Sequence, residues 1–239
     1  MQSWNPWHGC HKISEGCQNC YVYRTDSRYG KDSGKVEKTS NFDMPLNRDR
    51  SGEWKLQNDG FAVATCLTSD FFIDEADQWR SDIWQIIKRR RDLDFFIITK
   101  RIHRFYEGLP EDWGNGYDNV IIGCTCECQR TADFRLPIFL EAPIKHKVII
   151  CAPLIEEINL SEYLNERIEQ VSAGGESGEN ARICKYEWIL SIREQCIEKK
   201  TLIFHFSSDR RKINERRRTL QNTQKISAFT SQKSRYKYT

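Results

Sequence analysis

Residues 61–99, FAVATCLTSDFFIDEADQWRSDIWQIIKRRRDLDFFIIT, read as a strand, a helix and a second strand. The outer runs FAVATCLT (61–68) and DFFIIT (94–99) have strand length and are apolar on both faces, as strands are in a parallel sheet covered by helices. Between them Trp79, Ile83, Ile86 and Ile87 share one face of a helix over roughly 75–92. Working outward, NVIIGCT (119–125), HKVIICA (146–152), EQVSAG (169–174) and TLIFHF (201–206) are further strand candidates. A second helical face is marked by Tyr186, Ile189, Leu190, Arg193, Cys196 and Ile197 over roughly 182–199. The repeat is a β/α unit. Six such strands, with one further short strand expected before the first cysteines, predict an α/β fold, a partial (β/α) barrel of about six parallel strands. A flat doubly wound sheet is the alternative that periodicity does not separate. Both place chemistry at the C-terminal ends of the strands.

At 239 residues with 38% hydrophobic content, the chain has enough material for a buried core. Its longest apolar runs fall far short of the roughly 20 residues that span a bilayer, and the N-terminus shows no basic-then-apolar leader. No membrane anchoring or export is expected. Ten cysteines without a leader fit a reducing, cytoplasmic setting, bacterial or in a phage-infected host, better than a disulfide framework. Scattered cysteines such as Cys66, Cys151, Cys184 and Cys196 read as small core residues.

The net charge of +3 is unevenly distributed. Residues 207–239 carry ten Lys or Arg against Asp209 and Glu215, so this basic tail is +8 and the body 1–206 is −5. Such a tail meets nucleic acid through phosphate contacts, or is simply a solvated terminus. The first 60 residues are rich in Gly, Asn, Asp and Ser, have no sustained apolar period, and read as a long functional loop region.

Within that region WNPWHGCHKISEGCQNCY (4–21) sets Cys10, Cys17 and Cys20 in a C-x6-C-x2-C spacing, with Gly9 and Gly16 each preceding a cysteine. Three thiols in a glycine-bearing loop have little core to pack into, and they read as ligands of a metal centre. An iron–sulfur cubane on three thiolates keeps one iron open for a small chelating ligand. Zinc is the alternative, with His8 or His11 beside Cys10 as a fourth ligand. A second trio, Cys124, Cys126 and Cys128, lies at a strand end; alternate strand residues stand about 7 Å apart, which argues against a shared ion. Just after the apolar runs, the residues suited to a site are Ser69 and Asp70, Lys100 and Arg101, Thr125 and Glu127, and Gly174, Gly175, Glu176 and Ser177.

WNPWHGC, SEGCQNCY, TSDFF (68–72), ITKR (98–101), IIGCTCE (121–127) and AGGESGENAR (173–182), in that order, resemble the phage Gp37/Gp68-like family, also described as DUF5131, over about residues 3–205. The resemblance implies a radical S-adenosylmethionine (SAM) protein with an atypical cysteine spacing. On it Cys10, Cys17 and Cys20 carry a [4Fe-4S] cluster whose open iron is chelated by SAM, and a 5′-deoxyadenosyl radical abstracts hydrogen from an unknown substrate, a nucleotide or nucleic acid being suggested by the tail. Gly174 and Gly175 allow close backbone approach, and Glu176 accepts from the SAM ammonium or ribose. Lys100 and Arg101 hold its carboxylate or a phosphate, Asp70 and Glu127 bind ribose hydroxyls or cap helices, and Arg182 anchors an anion. The implied partners are a reductant or electron-donor protein and a three-cysteine-motif partner protein. The chain departs from the family pattern at Cys151, Ala152, Pro153 and Leu154, where relatives carry a carboxylate, and again from Phe204 onward.

Overall fold

A computed structural model describes residues 2–205; the basic tail at 207–239, with Phe206, lies outside the described residues. Nine strands and four α-helices follow in chain order: β1 (Ser3–Trp4), β2 (Trp7–His8), α1 (Tyr21–Arg28), β3 (Glu37–Lys38), β4 (Val63–Thr65), α2 (Asp77–Arg89), β5 (Phe95–Thr99), β6 (Val120–Thr125), α3 (Gln129–Glu141), β7 (His146–Cys151), β8 (Ile168–Ala173), α4 (Tyr186–Glu198) and β9 (Leu202–His205). Seven of the strands form one parallel sheet in the order β1-β4-β5-β6-β7-β8-β9, and β2 pairs antiparallel with β3 beside it.

The order in space repeats the order in the chain. A doubly wound sheet reverses direction part-way across, so that alternative is set aside. Among the described residues the sheet is open, with β1 and β9 at its two edges. All six sequence-expected strands are present, and β1 is the short strand expected before the cysteines. No helix among the described residues is long and apolar enough to cross a membrane.

Alternation along the strands divides the core. Phe95, Ile97, Ile122, Ile149 and Val171 point into the larger apolar cluster, which also takes in Ile83, Trp84 and Ile87 of α2, Leu136 and Phe139 of α3, and Ile189, Ile192 and Cys196 of α4. Ala62, Phe96, Ile121, Val148 and Ile150 form a smaller cluster on the opposite face. The scattered cysteines Cys66, Cys151, Cys184 and Cys196 are buried, as their apolar settings suggested.

Two expectations are corrected in detail. FAVATCLT forms ladder pairs only over Val63–Thr65, because Cys66 takes a left-handed backbone (φ 59°) that turns the chain out of the strand. The first 60 residues are also more ordered than a loop. They contain the β2–β3 pair and α1, which begins immediately after Cys20. Only Val22 and Asp26 of α1 are buried, so the helix has no apolar stripe to announce it.

Candidate metal centre

Aromatic packing fixes the entry to the cysteine loop. Trp4 and Trp7 are fully buried; Trp4 meets Phe95 edge-on at 5.6 Å between ring centroids, and Trp7 lies 5.6 Å from Phe71. Phe71 continues into Trp84 at 4.8 Å, and Phe72 into Phe105 at 5.8 Å. Each fully buried ring contributes roughly 1.5–3 kcal/mol of transfer free energy. Together they pin the Thr68–Phe72 turn at the C-terminal end of β4 directly beside the loop. The Trp7 indole N–H donates to the Asp70 carbonyl at 3.2 Å.

Gly9 is where the loop leaves β2. Its φ of +97° lies in the left-handed region, and a Cβ there would stand 2.1 Å from the Lys35 carbonyl oxygen, so no other residue fits. The Gly9 N–H donates to the Thr68 carbonyl at 3.2 Å, the Ser69 hydroxyl donates to the Gly9 carbonyl, and the Cys10 N–H donates to the Ser33 carbonyl at 2.8 Å. Cys10, Cys17 and Cys20 are all half-buried. A 3₁₀ turn over Glu15–Cys17 and the start of α1 set the second and third thiols. The Tyr23 phenol, whose O–H donates to the Cys10 carbonyl, is held above its ordinary pKa by burial first and then by Cys10, Cys20 and Cys17 together. Burial and the nearby Asp70 push the Cys10 thiol up to about 11, against the pull of Arg101.

The strand-end residues divide into brackets and open groups. Asp70 is a bracket: its carboxylate accepts from the Thr99 hydroxyl at 2.7 Å, the Phe72 N–H at 3.0 Å and the Lys100 N–H at 2.9 Å, joining the ends of β4 and β5. Both its oxygens are engaged within the protein. Arg101 is buried and spends its guanidinium on the cysteine loop, with Nη2 donating to the His11 carbonyl at 2.8 Å and Nη1 to Cys10 Sγ at 3.6 Å. The half-buried Lys100 has no side-chain partner among the described residues.

At the end of β6, Glu127 is fully buried and paired with Arg135 at 2.6 Å, and the same guanidinium group donates to the Thr125 carbonyl at 2.7 Å. The Glu127 Oε1 and Thr125 Oγ1 atoms are buried with no hydrogen-bond partner among the described residues. Gly16 lies on Glu127, where a Cβ would come within 2.9 Å of its Cγ. Glu127 does not cap α3 through its side chain; the Thr131 hydroxyl accepts the N–H groups of Glu127 and Cys128, both at 3.1 Å.

The segment after β8 works as a clamp. Glu176 accepts from Asn19 Nδ2 at 2.9 Å, from the Arg182 N–H at 2.8 Å and from the Arg182 side chain, while Arg182 Nη2 also donates to the Glu15 carbonyl at 2.8 Å. Arg24 of α1 donates to the Ser177 carbonyl at 2.8 Å. Gly174 bridges to the β7 end, its N–H donating to the Cys151 carbonyl at 3.0 Å and its own carbonyl accepting from Leu154 at 2.7 Å; half-buried Gly175 follows it. The implied ammonium acceptor Glu176 is therefore saturated by Asn19 and Arg182, and Arg182 is a clamp to the loop.

Both histidines beside Cys10 have acidic partners, His8 with Asp26 at 2.8 Å and His11 with Glu75. Burial opposes ionisation of Asp26, yet its hydrogen bonds from Ser33 and His8 hold it below the ordinary carboxylate range. Among the described residues no three His, Cys, Asp or Glu side chains converge where one metal ion would be held. Cys124, Cys126 and Cys128 are buried; the first two join the core and Cys128 opens α3.

A family model described as "Protein of unknown function (DUF5131)" matches residues 1–228. The chain belongs to the DUF5131 family. The match extends past the 3–205 range of the motifs and takes in much of the basic segment. No curated protein and no solved structure matches the chain. Sequence reasoning missed Glu15, Gln18, Asn19 and Arg24, which fasten this DUF5131 member's cysteine region to the segment after β8, and Arg135, which pairs with Glu127 at the β6 end. The one available signal was the pairing of Glu176 and Arg182 around Gly178 in a short loop of mixed charge.

Proposed function

We propose that this DUF5131 protein is a radical SAM-type iron–sulfur enzyme in which Cys10, Cys17 and Cys20 hold a [4Fe-4S] cluster over the C-terminal edge of a partial (β/α) barrel. The observation that carries the reading is the seating of one loop, which bears three half-buried thiols, against the ends of β4, β5, β6 and β8 of a singly wound parallel sheet. The donor set fits the group. Thiolates on a cubane bind different irons, so they need not meet at one point, whereas zinc requires a single tetrahedral centre.

When bound, the cluster supplies one electron that cleaves SAM to methionine and a 5′-deoxyadenosyl radical. The chain's own residues then have distinct tasks. Gly9 and Gly16 let the loop lie close to its supports. The Lys100 ammonium, without a side-chain partner among the described residues, offers a cation for a carboxylate or phosphate at the β5 end, and Glu127 lies against Gly16 of the loop. Glu176 and Arg182 hold the loop in place. The substrate class we propose is a nucleotide or nucleic acid, met through the basic segment after 206. A reductant protein, a three-cysteine-motif partner and a reducing cytoplasm complete the reading.

Anaerobic reconstitution tests it. The expected result is a brown protein with about four iron per chain, lost on Cys17→Ala, and release of 5′-deoxyadenosine with dithionite and SAM. A colourless protein carrying stoichiometric zinc refutes it.

A further inference from the structure

Arg101 is a cationic side chain that the structure brings to a cysteine of the loop. Nη1 stands 3.6 Å from Cys10 Sγ and 3.5 Å from Asp70 Oδ2, and Nη2 donates to the His11 carbonyl at 2.8 Å. The side chain is almost wholly buried, so its charge acts with little solvent screening. The backbone holds it there: the Arg101 N–H donates to the Thr99 hydroxyl at 2.8 Å, and that hydroxyl donates to Asp70 at 2.7 Å. A planar guanidinium reaches thiolate, carboxylate and carbonyl at once, which a lysine ammonium on a flexible stem does not. With these donors committed, Arg101 is not available to take a SAM carboxylate.

We propose that Arg101 is a positioning residue that donates to the Cys10 thiolate and raises the reduction potential of the cluster, with Asp70 as the opposing charge. The inference rests on the cluster reading given above. Hydrogen bonds and positive charge at a ligand sulfur stabilise the more negative, reduced state, and both are levers that set the potential of such centres. Arg101 and Asp70 act through Cys10 with opposite signs. Removing the cation makes reduction harder, and removing the carboxylate makes it easier.

The test is a spectroscopically monitored redox titration of the reconstituted full chain, with iron counted in each variant. In Arg101→Gln, iron content stays at the level of the unmutated protein while the ratio of reduced to oxidised cluster at fixed ambient potential falls at least tenfold, a shift of ~59 mV for a one-electron couple. Arg101→Lys recovers part of the shift, and Asp70→Asn moves the potential in the opposite direction. A purely structural role would not produce this pair of signs. Arg101→Gln with full iron and an unchanged ratio overturns the proposal while leaving the cluster reading intact. If Arg101→Gln loses iron, Arg101→Lys decides by the same titration, and loss of iron from both assigns Arg101 to loop retention alone and overturns the tuning role. Absence of iron from the unmutated protein overturns the cluster reading itself, and this inference with it.

Discussion

Arg182→Ala removes the clamp between the segment after β8 and the cysteine loop, and its cost follows from the bonds lost. The substitution deletes the Nε contact to Glu176 at 3.1 Å, the Nη2 contact to the other Glu176 oxygen, the Nη2 donation to the Glu15 carbonyl at 2.8 Å and a longer one to Gln18 at 3.4 Å. Glu176 keeps Asn19 Nδ2 and the backbone N–H of residue 182, so its carboxylate is not stranded. Hydrogen bonds to charged groups are worth ~1.5–3 kcal/mol each when buried. The Arg182 side chain is 32% exposed, which discounts that figure toward the value of a screened pair. The expected loss is about 2 kcal/mol, or a fall in Tm of about 4–8 °C for a domain of this size. The loss is also local. Hydrogen exchange should accelerate in residues 14–20 and 174–182 while β5, β6 and β7 keep their protection.

The pH dependence gives the same experiment a second reading. Burial raises the Glu176 carboxyl, but the bonds from Arg182 and Asn19 outweigh it and hold the group below its ordinary value of 4.5. A depressed carboxylate contributes stability above its unfolded value and loses it as pH falls through the folded one. Arg182→Ala should therefore unfold with a shallower acid limb below about pH 4.5 than the unmutated chain. A Tm and an exchange pattern at 14–20 unchanged by the substitution would refute the clamp.

Gly9→Ala forces a Cβ to within 2.1 Å of the Lys35 carbonyl at a φ of +97° and should cost at least ~2 kcal/mol, read as lowered Tm with the Cys10 segment unprotected in exchange. Asp70→Ala strands the Thr99 hydroxyl, two backbone N–H groups and Arg101, and is expected to destabilise by ~3–5 kcal/mol in denaturant titrations; a loss under ~1 kcal/mol would show that the bracket is dispensable. The hydrogen bond of His146 to the Glu169 carboxylate raises the His146 pKa above 6.5, although burial opposes it. Its contribution is present in full below pH 6.5 and disappears as pH rises through the raised value. Glu169→Gln should flatten that part of the stability profile, and a profile identical to that of the unmutated chain would exclude the pair as its source.

The strands were legible because each is a short apolar run, and a strand buried on both faces announces itself without alternation. Their spatial order was not. Only the structure distinguishes a chain-order sheet from one that reverses, since the same runs and helices serve either winding. In the cysteine region the three thiols proposed as ligands stood out by their spacing, but the contacts that support their loop did not. Asn19 and Glu176 are 157 residues apart, and Arg182 reaches Glu15 across 167; no local pattern encodes such contacts. For the same reason the sequence left Glu176 and Asp70 each open between a ligand contact and a structural role. An acidic residue after a strand looks the same in sequence whether its oxygens face a cavity or are filled by N–H groups from the next loop.

The supports of the cysteine loop come from different strand ends: Ser69 after β4, Arg101 after β5, Glu127 beneath Gly16 after β6, and Glu176 with Arg182 after β8. These ends come together only when the parallel sheet has paired, and parallel pairing demands long loop closures before its contacts repay them. The cysteine loop is therefore expected to take its place after the sheet, and the sheet is expected to form without the proposed metal centre. Its core of buried Trp, Phe and Ile supplies the stability instead. This separates the protein from small metal-nucleated domains, in which metal binding is the folding free energy. Chelation under reducing conditions should leave far-ultraviolet circular dichroism and β5–β7 exchange protection intact, with increased exchange confined to residues 9–20 and the segments that fasten them. Cooperative unfolding of the whole chain on chelation would show that the metal, not the sheet, organises the fold.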